Sequence, residues 1–398
     1  MTVTLSRATA EDVPAMVLAD GRAFGFHYQE QDVEDLRLVL DPDRFVLARS
    51  GRDRRSDLVG VSGSFPLHVT PPGGEPIPAE GVTWVSVAVT HRRRGILRAM
   101  LDELHRGYAA AGTPVALLTA SEGGIYGRFG YGISGTDRRV EIDRRRAVLR
   151  ADAPDPGGVR YAETDEAAEL APGIHRRWAA QQPGAVSRSA AWWRFTLLDR
   201  PHQRRGATAR FHLLHPDGYA AYRMDSGVCR VVDLFAATDA AHVALWRVLL
   251  AMDLVSTVAT DALAADDPLP WMLTDARAVR TTSVADYVWA RVLDTPAVLA
   301  ARRYAVEIDA VLEVRDPDGY AAGRYRLRGG PDGAECAHTD AAADLHLDVP
   351  ALGALAFGGT RAHTLARAGR IGRGDPAVLR RFDAACLADR DPYAGTRF

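Results

Sequence analysis

The segment Val82–Leu104, VTWVSVAVTHRRRGILRAMLDEL, leaves few folds open to this chain. Val82 to Val89 is apolar enough for a buried strand, Thr90 and His91 turn the chain, and Ile96 to Leu104 carries an amphipathic helical period. Between turn and helix lie Arg92, Arg93, Arg94 and Gly95. A helix N-terminus with free backbone N–H groups, a glycine that permits close approach and surrounding cations together predict a pyrophosphate site. Three adjacent arginines also occur as a plain solvated charge run; the strand, turn and glycine around them favour the anion site. A second segment, Val115–Gly132, reads VALLTASEGGIYGRFGYG. It predicts a buried strand ending at Ser121, a Glu122-Gly123-Gly124 start to a short helix carrying Tyr126, and a closing Phe129-Gly130-Tyr131-Gly132 turn. Aromatics between glycines are usually packing plugs. Tyr126 differs because it follows the strand expected beside Val82–Val89, which puts its hydroxyl near the end of a bound thioester.

Composition removes several chemistries. Every one of the 49 basic residues is Arg, and the chain has neither Lys nor Asn. This excludes a pyridoxal phosphate Schiff base, a P-loop lysine, an N-glycosylation acceptor and a Cys-His-Asn triad. Both absences are what a GC-rich genome produces, and an actinobacterial source is expected. A net charge of −2 argues against nucleic acid or an anionic membrane as partner. Cys229, Cys336 and Cys386 form no C-x-x-C pair, Cys229 and Cys386 read as buried apolar residues, and a reducing cytoplasm fits. Met1 to Asp12 lacks a basic region followed by an apolar core, and Ala244–Ala259 is broken by Arg247 and Asp253, so neither export nor a membrane span is expected. The histidines show no metal-ligand spacing, and no metal is expected.

Breaks at Ala151–Val159 and at Asp294–Pro296 divide 398 residues into sections 1–150, 151–292 and 293–398. The first predicts strands at Val3–Arg7, Arg44–Arg49, Leu58–Leu67 and Val82–Val89, a helix over Thr9–Phe24, and a Pro/Gly loop over Thr70–Glu80. The second repeats the strand, turn and helix at Val231–Ala236, Thr238 and Ala241–Leu254, without the phosphate-binding residues. The third predicts helices at Pro296–Arg303, Pro350–Ala356 and Pro376–Ala388. Its strands are expected at Ala305–Val314, Gly319–Leu327 and Ala343–Val349, with a hairpin turn at Gly329–Gly333 and an extended tail from Asp389 to Phe398.

The R-x-x-G motif of Val85–Leu97, the YGRFGYG turn and the terminal Phe398 together resemble the enhanced intracellular survival (Eis) family of GNAT-superfamily N-acetyltransferases. Arg92 and Gly95 match the superfamily pattern, whereas Leu97 stands at its last small-residue position. The resemblance spans the chain and implies an α+β fold: tandem GNAT domains with mixed central sheets flanked by helices, the second lacking the cofactor motif, and a sterol-carrier-protein-like C-terminal α/β domain. It implies acetyl-CoA as cosubstrate, with pantetheine along Val85, Ser86 and Val87, pyrophosphate on Arg92, Arg93, Gly95 and Ile96, and Ser121 beside the pantetheine. It further implies Tyr126 as general acid, the α-carboxylate of Phe398 as base, and a homohexamer.

Acceptor contacts are expected from Phe24, Phe26, His27, Trp84 and Arg397. Aminoglycoside-acetylating relatives, as the resemblance implies, carry acidic residues near the cleft, one beside the terminal Phe. Arg397 stands there instead, and only Glu30, Asp32, Glu34 and Asp35 are placed to restore negative potential. The expected reaction is acetyl transfer to primary amines, probed first with aminoglycosides and polyamines. Protein lysine or peptide N-termini, a non-catalytic small-molecule binder, and lipid binding by the last section are the alternatives.

Overall fold

The computed structural model describes residues 3–51, 57–372 and 375–398; Met1 and Thr2, at the head of the Met1–Asp12 stretch in which no export signal is expected, lie outside them. The first sheet opens with β1 (Val3–Arg7), β2 (Phe45–Ser50), β3 (Asp57–Val69) and β4 (Ile77–Val87) in antiparallel succession, and β5 (Val115–Thr119) then lies parallel to β4. Three helices accompany it: α1 (Val13–Phe24), α2 (Glu30–Leu36) and α3 (Ile96–Ala110). Side chains alternate across a strand, so Phe45 and Leu47 join the core of Val13, Met16 and Val17 from α1, while Val46 and Ala48 join that of Ile96, Met100 and Leu104 from α3. The sheet is therefore buried on both faces.

After β6 (Gly132–Ile133), β7 (Thr136–Asp143) leaves for a second sheet. That sheet holds β8 (Arg160–Ala162), β9 (Phe211–His215), β10 (Gly218–Asp225), β11 (Val228–Ala236), β12 (Thr257–Leu263) and β13 (Val279–Asp286), with α4 (Thr164–Ala179), α5 (Ala190–Leu197) and α6 (Asp239–Leu250) packed around it. The next strand, β14 (Val288–Val292), returns to the first sheet between β5 and β6. The strand orders are β1-β2-β3-β4-β5-β14-β6 and β8-β9-β10-β11-β12-β7-β13, with a parallel β4–β5 or β11–β12 pair at the same place in each. The two sheets are thus repeats that exchange one strand, β7 for β14, and sheet membership does not change at a single point near residue 150.

The third sheet, of order β17-β16-β15-β18-β19, contains β15 (Ile308–Arg315), β16 (Gly323–Gly330), β17 (Gly333–His338), β18 (Leu345–Asp348) and β19 (Ile371–Gly372). α7 (Thr295–Ala300), α8 (Val349–Leu355) and α9 (Pro376–Cys386) contribute Val298, Leu352 and Phe382 to its core. The hairpin at Gly330 and Gly333 lies where the glycines predicted it.

Several boundaries differ from the sequence reading. β4 begins at Ile77, because the hairpin register Val69↔Ile77 pulls the end of the expected Pro/Gly loop into the ladder. The expected helix from Thr9 starts as a separate 3₁₀ turn, Ala10–Asp12, with Pro14 in the first turn of α1. α6 stops at Leu250, leaving Leu254 exposed, and β16 starts at Gly323 rather than Gly319.

Candidate active site

β4 and β5 pair only from Ala79↔Val115 to Val82↔Leu118. Beyond that point they diverge. The divergence coincides with a bulge against β3: the register slips between Val61↔Ser86 and Gly63↔Thr83, and Trp84 takes a left-handed φ of 52°. A cleft of about 300 Å³ opens there, lined by Val82, Thr83, Trp84 and Val85 from β4, Leu118 to Ser121 at the end of β5, Tyr126, and Asp20 and Phe24 of α1. Ser86 and Val87 keep β3 on one side, Val85 lies in the bulge, and none of the three has a strand partner on the other side among the described residues. Such an edge accepts an amide-bearing extended chain as an added strand.

Gly95, at φ 79°, caps α3 without a side-chain hydrogen bond to the first turn. Arg92, Arg93 and Arg94 are exposed and make no ion pair among the described residues. Free first-turn N–H groups beside uncompensated guanidiniums fit a pyrophosphate. The repeat shows what the site requires. β11 also bulges, between Val231 and Asp233, and also leads into a helix, but there Thr238 caps the first turn and Asp239 follows. A carboxylate at that position repels phosphate.

Tyr126 is buried at the cleft in a 3₁₀ turn, and its hydroxyl makes no protein hydrogen bond among the described residues. Burial, and secondarily the Glu122 charge, push its pKa up to about 12. Its neighbours in the turn pack instead: Phe129 lies under Arg98, and Tyr131 is fully buried with its hydroxyl 2.8 Å from His105 Nε2.

The chain's end returns to this domain. The Phe398 ring lies where a Cβ on Gly81 would sit 2.8 Å from it, one residue before the cleft opens. The preceding tail is tied down by Tyr287, whose hydroxyl donates to the Thr396 carbonyl (3.2 Å), by Arg188, which donates to the Gly395 carbonyl, and by Val186, whose N–H donates to the Ala394 carbonyl (3.0 Å).

Of the expected acceptor contacts, Phe24 and Trp84 line the cleft, and Trp84 packs between Tyr28 and Phe45 at centroid distances of 6.3 and 5.7 Å. Phe26 and His27 are exposed beyond it, Phe26 with its edge on Tyr28. Arg397 faces elsewhere, over the Tyr287 ring and donating to the Asp261 carbonyl, in a separate depression that includes Asp137 and Arg188. Two of the four acids of α2 are engaged, Asp35 by the fork of Arg200 and Asp32 by His202 and Gln203, while Glu30 and Glu34 are exposed.

Sequence reading missed Asp20 and misplaced Glu80. Asp20 is 2% exposed in the cleft wall. Its signal was an acid on the apolar stripe Val13, Met16, Val17, Gly21 and Phe24 of α1. Glu80 lies within β4, not in a loop before it, bonded to Ser64 and Arg44. Burial raises its pKa against those two partners.

A large depression of about 990 Å³ lies on the third sheet, its lining including Glu313, Arg315, Arg324, His346 and Arg370. Its charge does not suit a lipid tail. Among the described residues no metal-binding group of His, Cys, Asp or Glu is present, and no helix is long and apolar enough to cross a membrane.

Residues 4–134 and 184–292 each match an acetyltransferase (GNAT) domain family, and residues 295–395 match a sterol carrier protein domain family. The chain is 42% identical over 399 residues to N-acetyltransferase Eis of Mycobacterium tuberculosis, covering 98% of each chain. It is 37% identical over 366 residues to an uncharacterised N-acetyltransferase of Streptomyces coelicolor, covering 88% of each. Eis1 of Mycobacterium abscessus superposes with a TM-score of 0.86 at 32% identity, over all of both chains.

Proposed function

The chain belongs to the Eis family of GNAT N-acetyltransferases, and on that premise we propose that it transfers acetyl from acetyl-CoA directly to a primary amine in the cleft between β4 and β5. The observation that carries this reading is the coincidence, within one short stretch, of an open strand edge at Val85–Val87 and an uncapped cationic helix start at Gly95. The edge takes the pantetheine amides, with Ser121 beside them; Arg92, Arg93, Gly95 and Ile96 take the pyrophosphate.

The acceptor enters as an ammonium and gives one proton to the Phe398 α-carboxylate. Its nitrogen attacks the thioester carbonyl carbon, the C–N bond forms and the C–S bond breaks. The Tyr126 hydroxyl protonates the leaving sulfur, the second nitrogen proton restores Tyr126, and the carboxylate releases its proton to water. The products are an amide, the CoA thiol and one proton. Section 1–150 supplies this site, section 293–398 supplies the terminal carboxylate, and section 151–292 holds the tail between them. We place the protein in the cytoplasm as a homohexamer, a state that analytical ultracentrifugation reads directly.

Aminoglycosides and other polyamines are the first acceptors to test, with peptides as the alternative. Thiol release from acetyl-CoA is measured across such a panel. No release with any amine, alongside tight acetyl-CoA binding, would establish a non-catalytic binder. Extending the chain past Phe398 by a few residues should abolish turnover while leaving acetyl-CoA binding intact; an unchanged rate removes the terminal carboxylate from the mechanism.

A further inference from the structure

Asp20 is the one carboxylate among the residues lining the cleft. Its Oδ2 accepts from the Tyr28 hydroxyl at 2.7 Å, while the buried Oδ1 has no hydrogen-bond partner among the described residues. A buried carboxylate oxygen without a donor is costly, and in the wall of a cleft a cationic ligand would offset that cost. Around it the wall is apolar and aromatic, with Phe24, Trp84 and Val85 in the cleft and Tyr28 behind Trp84. Of the carboxylates that α2 carries, Asp32 and Asp35 already hold His202, Gln203 and Arg200, and Glu30 and Glu34 are exposed and do not line the cleft.

We infer that Asp20 is the seat of the acceptor's ammonium group, and that the reacting amine is carried on an apolar or aromatic stem lying against Phe24 and Trp84. This rests on the acetyl-transfer reading above. It assigns recognition of the cation to α1 and leaves the proton-accepting role to the chain's end.

The groups facing Asp20 are few. Tyr28, with Asp32 acting on it, and Tyr126 are the titratable side chains at the cleft, the reading above adds the Phe398 α-carboxylate, and Val82–Val85 and Leu118–Ser121 contribute none. On β3 and β4, against which α1 packs, His68 and Asp57 are exposed and Glu80 bonds Ser64 beside Tyr108 of α3. Burial raises the Asp20 pKa to about 6, opposed by the Tyr28 hydrogen bond. Protonation below that pH therefore removes the anion, so amine affinity should fall as pH drops through about 6.

The test uses the full chain loaded with CoA, with 2-phenylethylamine and spermidine as probes, and calorimetric Kd values between pH 5 and pH 8 in parallel with thiol release from acetyl-CoA. For 2-phenylethylamine, wild type should bind about tenfold more weakly at pH 5 than at pH 7. Asp20→Asn should weaken binding at pH 7 about 10- to 100-fold, flatten that pH dependence and leave the acetyl-CoA Kd unchanged. Tyr28→Phe keeps the carboxylate but removes the hydrogen bond that favours its charged form, so the loss of affinity should move to higher pH; this variant decides the matter if the Asn variant does not fold. Spermidine should bind more weakly than 2-phenylethylamine. Equal amine affinity and equal pH dependence in wild type and Asp20→Asn overturn the proposal, as does failure of wild type to bind either amine. Amine binding without thiol release overturns the acetyl-transfer reading and leaves Asp20 as the ammonium seat.

Discussion

At the scale of single residues, Tyr126 shows what burial does to the proposed general acid. Raised to about 12, it stays protonated at every physiological pH and is a weaker acid than free phenol. Against a thiol near 8.5 a completed transfer is uphill by roughly 5 kcal/mol. It therefore works only as the C–S bond breaks and charge builds on sulfur. Tyr126→Phe should lower kcat about 100-fold or more with the acetyl-CoA Kd unchanged; equal kcat in steady-state assays removes the role. Gly81 is as exacting in a different way. A Cβ there would lie 2.4 Å from Leu67 and 2.8 Å from the Phe398 ring, so Gly81→Ala should displace the terminus. Turnover should drop on the order of 100-fold, since a shift near 1 Å at a reacting group is that costly, while cofactor binding measured by calorimetry persists. The residue types at these positions were legible in the sequence only for Tyr126. Gly81 passed as a strand residue and Asp20 as a helix residue, because neither signal means anything until a second element approaches it.

At the scale of elements, the stretch from Val85 to Ile96 was readable because everything it does is local: a strand, a glycine in the left-handed region and a helix N-terminus follow one another along the backbone. Gly95→Ala isolates that property. No atom lies within 4 Å of the added Cβ, so the cost is conformational, about 1–2 kcal/mol for a left-handed non-glycine residue. We expect weaker acetyl-CoA binding with little change in kcat, measured as a Kd and a turnover number on the same preparation. Elements whose existence depends on partners were read less well. The first turns of β4 contain Pro78 and follow a Pro/Gly run, so local preference favoured loop; the β3 ladder overrode it. α2, with the sequence EQDVEDL, has almost no apolar period and forms against the second domain, where Arg200 and His202 meet its acids.

At the scale of the molecule, the exchange of β7 and β14 makes the two repeats one body, and buried charge locks the third domain onto it. Arg291 of β14 and Asp316 after β15 are both fully buried, with guanidinium nitrogen to carboxylate distances of 2.9 Å. Removing Asp316 leaves the buried guanidinium only the longer contact to the part-exposed Asp318, at 3.5 Å, so Asp316→Ala should destabilise the chain by about 3 kcal/mol, read as a lower Tm in thermal unfolding. The second repeat has a use despite lacking phosphate-binding residues. Its own cleft, about 330 Å³ between β11 and β12, is lined by Tyr393 and Arg390 of the tail, and Tyr393 donates to the Ala262 carbonyl at 3.3 Å. The cleft proposed for the cofactor in one repeat has a counterpart that seats the chain's end in the other, and from there the tail runs to Gly81.

By itself the sequence determined the fold class and the strand, glycine turn and helix start at which a pyrophosphate site is proposed, since each is written in neighbouring residues through backbone period, turn chemistry and helix polarity. Only the tertiary structure decided which acid lines the cleft, where Arg397 points, and which sheet β7 and β14 complete. Those outcomes depend on pairings between residues more than a hundred positions apart, such as Tyr287 with Thr396 and Arg188 with Gly395. Such pairings are fixed by the closing of sheets over shared cores, where burial selects one partner among many that the sequence offers equally.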